Sequence, residues 1–137
     1  MSTVRAELSE KNKYYMEKHR FYELKHFCLQ YYDWKKSYLE LDGIGAASYD
    51  KIYSRLNDPG DPTSKCVDIR MAYLDRMDLV RRTAYDADPD LAMYIFKAVT
   101  EGLSYNQLKL RLDIPCGKDM YYDRYRRFFW LLDQARK

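Results

Sequence analysis

Residues that interrupt regular backbone are scarce in this chain and gathered in a few places. Five glycines and four prolines serve 137 residues, and the stretch from about Glu7 to Leu41 contains neither. Glycine and proline are the strongest helix breakers, so a stretch free of both can extend as helix without a local penalty. No run of alternating β-branched residues long enough for a sheet occurs anywhere. The fold class predicted is all-α: a long N-terminal helix followed by a helical bundle. A hydrophobic content of 47% with 16% aromatic residues offers enough apolar surface to offset the entropy of ordering, which excludes collagen-like and wholly disordered chains.

Within the first block, Tyr14, Phe21, Leu24, Cys28, Tyr31 and Tyr38 recur at steps of three, four or seven, as one face of a helix requires. Tyr15, Tyr22, Tyr32 and Trp34 widen that face, while Glu17 and Lys35 interrupt the seam and argue against a long regular coiled coil. One helix is expected, with a break near Tyr31 and an end at Asp42-Gly43, where the glycine suits a left-handed cap. Residues 42–60 read as a loop with at most a short helical turn around Tyr49–Leu56, closed by the turn signal Asn57-Asp58-Pro59-Gly60. Asp61-Pro62-Thr63 then starts a helix reaching about Ala87, with Val67, Met71, Leu74, Met77 and Ala84 as its inner stripe. Asp88-Pro89-Asp90 opens a shorter helix with Leu91, Ile95 and Val99 inside, stopped at Gly102. The organisation expected is an arm over 1–41, a linker over 42–60 and a helical domain over 61–137.

The C-terminal unit carries the functional signal. Ser104 caps a short helix from Tyr105 to Leu112, with Leu103, Leu108 and Leu112 pointing inward. Asp113-Ile114-Pro115-Cys116-Gly117 is a tight turn, and a final helix runs from about Lys118 to Gln134. On it Tyr121, Tyr125, Phe128 and Leu132 share one face, whereas Lys118, Asp119, Tyr122, Asp123, Arg126 and Arg127 fall mostly toward solvent. Charge follows the same division. Residues 104–137 hold eight Lys or Arg against four acids, whereas residues 61–103 hold six against eight. A basic patch concentrated at one end attracts polyanions better than an even distribution of the same net charge of +3.

A short helix, a tight turn and a longer basic helix over residues 104–134 form the helix-turn-helix pattern, in which the second helix enters the major groove with its N-terminal residues near base edges. Lys118 and Tyr122 are candidates for base contacts, and Asp119 beside them is counted among the DNA-binding residues. Lys109, Arg111, Arg126 and Arg127 suit phosphates, and Arg124, nearer the packed face, suits either. The bland alternative is that these cations simply solvate a helix.

The run Thr100-Glu101-Gly102-Leu103-Ser104-Tyr105-Asn106-Gln107-Leu108, followed by Leu112-Asp113-Ile114, resembles the helix-turn-helix of the C-terminal promoter-reading domain of bacterial sigma factors. Four further pieces in order are Leu41-Asp42-Gly43, Asp61-Pro62-Thr63, Ala87-Asp88-Pro89-Asp90-Leu91 and the distinctive run from Ile114-Pro115-Cys116-Gly117-Lys118 to Arg126-Arg127-Phe128-Phe129. Together they resemble the RinA-type phage transcriptional activators, small helical proteins of phages and integrated elements of Gram-positive bacteria. The resemblance covers roughly residues 41–134 and implies a regulator that binds promoter DNA and acts through RNA polymerase. Two positions depart from the sigma-type unit. Lys109 stands where a small alanine is usual, and Asp113 stands where the turn usually has glycine. The turn is also one residue longer.

Other residue groups have plain explanations. His19, His26 and Cys28 lack metal-ligand spacing, and no metal or other cofactor is expected. Cys116 reads as an ordinary turn thiol, although a helix N-terminus nearby would lower its pKa. Asp75/Asp78 and Asp88/Asp90 are explained by solvated faces and a helix start. No phosphate loop, G-x-S-x-G or H-E-x-x-H is present, so no enzyme is expected. Trp130 either packs under the N-terminal helix or serves a subunit interface. The longest apolar run, Phe128 to Leu132, stops after five residues, too short to span a membrane. No secretory leader pattern opens the chain. Cys28, Cys66 and Cys116 form no CxxC and fit reduced thiols in the cytoplasm of a bacterial host. The aromatic-rich N-terminal helix points to a homodimer. The competing function is a phage accessory protein, a packaging factor or host inhibitor, whose basic helix meets a protein surface.

Overall fold

The computed structural model describes residues 12–42 and 62–137, and every described regular element is an α-helix. In chain order these are α1 (Lys18–Leu29), α2 (Tyr31–Asp42), α3 (Pro62–Ala87), α4 (Ala92–Glu101), α5 (Tyr105–Leu112) and α6 (Lys118–Ala135). The loop expected over 43–60, with its Tyr49–Leu56 turn, its Asn57–Gly60 turn and the Gly43 cap, lies outside the described residues, as does the Asp61 cap.

The single N-terminal helix expected from Glu7 is corrected within the described residues. Residues 12–15 form a turn, in which the Tyr14 N–H donates to the Asn12 side chain at 2.8 Å and the Tyr15 N–H to the Asn12 carbonyl at 3.0 Å. Helix begins only at Lys18, where Glu17 accepts the N–H groups of His19 and Arg20 at 2.9 and 3.1 Å. The carboxylate takes donors that have no partner inside the first turn, which fixes the helix start. The break expected near Tyr31 falls at Gln30, whose side-chain amide donates to the His26 carbonyl at 3.2 Å.

The chain divides into two compact units, Met1–Gln30 with Leu79–Lys137, and Tyr31–Asp78. In the second unit Tyr31, Trp34, Leu41, Cys66 and Met77 are buried, and the Arg70 guanidinium lies 4.5 Å from the centre of the Tyr38 ring. Here the expected stripe on α3 is corrected. Val67 and Met71 are about half exposed, at 50% and 47%. Met77 and Ala84 of that stripe are buried as expected, and toward the start of the helix Cys66 is the buried position instead of its neighbour Val67.

In the first unit α4 packs against α1, α5 and α6, and α1 also packs against α6. Ile95, Ala98 and Val99 on α4 are buried, together with Phe21, Leu24 and Cys28 on α1 and Val80 and Ala84 on the last turns of α3. From α6 come Tyr121, Tyr125, Phe128, Phe129 and Leu132. The aromatic rings meet edge to face: Phe21 with Phe129 at 5.0 Å, Tyr125 with Phe129 at 5.0 Å and Phe128 with Phe129 at 5.0 Å. That geometry sets the positive ring edge against the negative face of its neighbour. Two buried hydroxyls are satisfied locally, Thr83 by the Leu79 carbonyl at 2.6 Å and Thr100 by the Phe96 carbonyl at 2.7 Å. Gly102 ends α4 with φ of 73°, a left-handed cap that an L side chain would strain.

Candidate nucleic-acid interface

The α5–turn–α6 segment is held by contacts from both of its ends. Ser104 and Gln107 form a reciprocal cap on α5: the Gln107 N–H donates to the Ser104 hydroxyl at 3.2 Å and the Ser104 N–H to the Gln107 side chain at 2.9 Å. The spacing S-x-x-Q is the sequence signal for this box. At the other end Asp113 adopts the left-handed conformation, with φ of 51° and ψ of 52°, and its N–H donates to the Lys109 carbonyl at 3.2 Å. Aspartate tolerates this region better than most residues, so the turn forms without glycine.

Three side chains then brace the turn. The Tyr105 hydroxyl donates to the Cys116 carbonyl at 2.6 Å, and the Lys109 ammonium donates to the Ile114 carbonyl at 3.2 Å, with the Asp113 carboxylate 3.5 Å away. Ile114 itself is fully buried, as is Leu108. The Lys109 side chain thus reaches along α5 to close the turn. Replacing Tyr105 with phenylalanine keeps the ring contacts and deletes the bond to the turn. It should lower stability by about 1 kcal/mol, read by urea unfolding, with faster amide exchange over residues 114–117.

The candidate DNA-contacting residues fall into three groups. Arg111, Lys118 and Asp119 are exposed around the turn. No carboxylate pairs with Arg111 or Lys118 among the described residues. Arg126 and Arg127 are half-buried, each with a buried Nε that lacks a partner; Arg127 Nη1 donates to the Tyr14 hydroxyl at 3.3 Å. Tyr14 also packs against Trp130 at 6.1 Å between ring centres, so Trp130 meets the segment that precedes α1.

Two of the candidates are engaged within the fold. Tyr122, expected toward solvent, is instead buried, packed against Tyr105 at 6.3 Å, Tyr121 at 5.0 Å and Tyr125 at 5.9 Å. Its position beside the Tyr121 stripe is covered because the α5 ring of Tyr105 extends the buried arc of α6. Arg124 is committed to structure: its Nε donates to Asp88 Oδ2 at 3.0 Å, and its Nη1 pairs with Asp123. Asp88 uses its other oxygen to accept the N–H groups of Asp90 and Leu91 at 2.9 and 3.3 Å. One carboxylate therefore both opens the turn into α4 and ties that turn to α6.

Sequence patterns give no sign of two exposed apolar side chains at this end of the molecule. Leu110 is 87% exposed and Met120 is 46% exposed. Burial pushes the hydroxyls of Tyr121 and Tyr125 far above the ordinary phenol range, so both are neutral. Burial, and next the Asp88 charge, push the Cys116 thiol up, the reverse of activation at a helix N-terminus. Among the described residues no three His, Cys, Asp or Glu side chains converge as metal ligands, and no helix is long and apolar enough to cross a membrane. No protein-family model, curated protein or solved structure matches this chain.

Proposed function

We propose that this chain is a sequence-specific DNA-binding transcriptional regulator of a phage or integrated mobile element, acting with RNA polymerase in the bacterial cytoplasm. The observation that carries the reading is the braced turn with Arg111 and Lys118 exposed on its two sides, neither paired with a carboxylate among the described residues. Such a turn presents the first turn of α6 in a fixed orientation, and unpaired cations beside it can exchange counterions for phosphates. In this reading Arg111, Arg126 and Arg127 contact the backbone, Lys118 and Asp119 face bases, Lys109 holds the turn, and Tyr122 and Arg124 make no DNA contact. The RinA-type resemblance supports the same class, and the aromatic-rich α2, with Tyr32 and Leu39 exposed, supports self-association.

Fluorescence polarisation of a labelled duplex across a salt series tests the reading. The combined change Arg111→Glu and Lys118→Glu should weaken binding at least about tenfold at low salt and flatten the logarithmic salt slope by about 1 for each phosphate no longer neutralised. Unchanged affinity and slope would overturn it. A protein-binding accessory role is the second reading, favoured by the exposure of Leu110. It predicts no salt-dependent duplex binding at all.

A further inference from the structure

The turn that precedes α1 lies against the C-terminal half of α6 and brings a cation with it. The Tyr14 ring is the point of assembly. The Lys13 ammonium stands 5.0 Å from its centre, Arg127 Nη1 donates to its hydroxyl at 3.3 Å, and the Trp130 indole packs on it at 6.1 Å. Arg126 lies one helical turn from Trp130, so three cations gather around two aromatic rings. No carboxylate pairs with Lys13, Arg126 or Arg127 among the described residues. The acids of α6 on either side are committed elsewhere, Asp123 to Arg124 and Asp133 to Arg20 and Lys137. Arg126 and Arg127 are also half-buried, each with a buried Nε that has no acceptor. A guanidinium in that state has lost water without gaining a counter-charge, a cost that an anion at its outer edge offsets.

The place of this cluster along α6 indicates which anion. Arg127 follows Lys118 by nine positions, about 13 Å at the rise of an α-helix. The major groove is about 12 Å wide, so a helix crossing it with cations at both ends meets the two backbones that flank it. We infer that Lys13, Arg126 and Arg127 bind a phosphate of one DNA strand, across the major groove from the strand that Arg111 contacts beside the turn. Tyr14 is a positioning residue, its hydroxyl aiming Arg127. This rests on the DNA-binding reading above and adds to it Lys13, Tyr14 and the strand that each cluster takes.

Phosphate-ethylation interference tests it, with the full chain on duplexes selected from a random pool. Wild type should show two runs of interfering phosphates, one on each strand, facing each other across one major groove. Lys13→Ala should weaken the run on one strand and spare the other, with a salt slope shallower by about 1. Lys13 is exposed, so this variant keeps the fold. Arg127→Gln should erase the same run, and Tyr14→Phe, which keeps the ring against Trp130, should weaken it. Interference on one strand only in wild type, or two runs unchanged by Lys13→Ala and Arg127→Gln, overturns the inference and leaves the DNA-binding reading standing. No duplex retained at low ionic strength overturns both.

Discussion

Replacing Phe129 with alanine should destabilise the protein by about 3–5 kcal/mol, measured by urea unfolding followed by circular dichroism. Phe129 is fully buried and meets Phe21, Tyr125 and Phe128 edge to face. It also lines a cavity of about 40 Å³ with Leu29, Val99 and Gly102, so truncation would enlarge a space that already exists. Neighbours that have not closed the present gap have little capacity to collapse into a larger one, which places the expected cost high in the range for buried aromatics. A loss of that size is a large fraction of the roughly 5–15 kcal/mol that stabilises a typical domain. Leu110→Ala provides the contrast. At 87% exposure its removal should change stability by less than about 0.5 kcal/mol. A cost below about 1 kcal/mol at Phe129 would show that α1 and α6 do not share a packed interface.

Asp88→Ala should cost about 2 kcal/mol, from two separable sources. Loss of the carboxylate leaves the N–H groups of Asp90 and Leu91 without their acceptor, worth about 1 kcal/mol for a cap of this kind. It also leaves the Arg124 guanidinium without its main partner. The Arg124 side chain is 34% exposed, so water offsets part of that loss and the remainder is about 1 kcal/mol. Asp88→Asn keeps an acceptor for the backbone and removes the charge, so it should recover roughly half of the deficit. A double-mutant cycle with Arg124→Ala separates the sources, because the cap term survives in the Arg124→Ala background and the ion-pair term does not. Additive effects would mean that the two side chains do not interact.

Helix ends are the most legible part of this chain, and the reason is local chemistry. Gly102 and Ser104 each settle a boundary, through access to positive φ and through a capping oxygen, and neither depends on distant residues. The second Asp-Pro start shows the limit of such reading. Its carboxylate folds the next residues into a turn, so α4 opens at Ala92 rather than at Pro89. Burial is less legible because it depends on how many neighbours a helix has. The steps Tyr121, Tyr125, Phe128 and Leu132 mark one stripe, but α6 is covered by rings from α1 and α5 and packs on α4 as well, which draws in Tyr122 and Phe129. Charged residues are hardest. Whether Arg124 faces solvent or a carboxylate is decided by Asp88, which lies 36 positions away in the chain, and no periodicity reports that distance. Lys109 likewise turns inward to a carbonyl that only the folded turn presents.

The two tryptophans, Trp34 and Trp130, lie one in each compact unit. Trp34 is buried, whereas Trp130 is only partly covered and touches Tyr14. The chain thus carries its own pair of optical reporters. With either indole replaced by phenylalanine, emission from the survivor follows a single unit through denaturation without any attached dye. Superimposable curves from the two variants would make the molecule one cooperative entity, and separated midpoints would make it two.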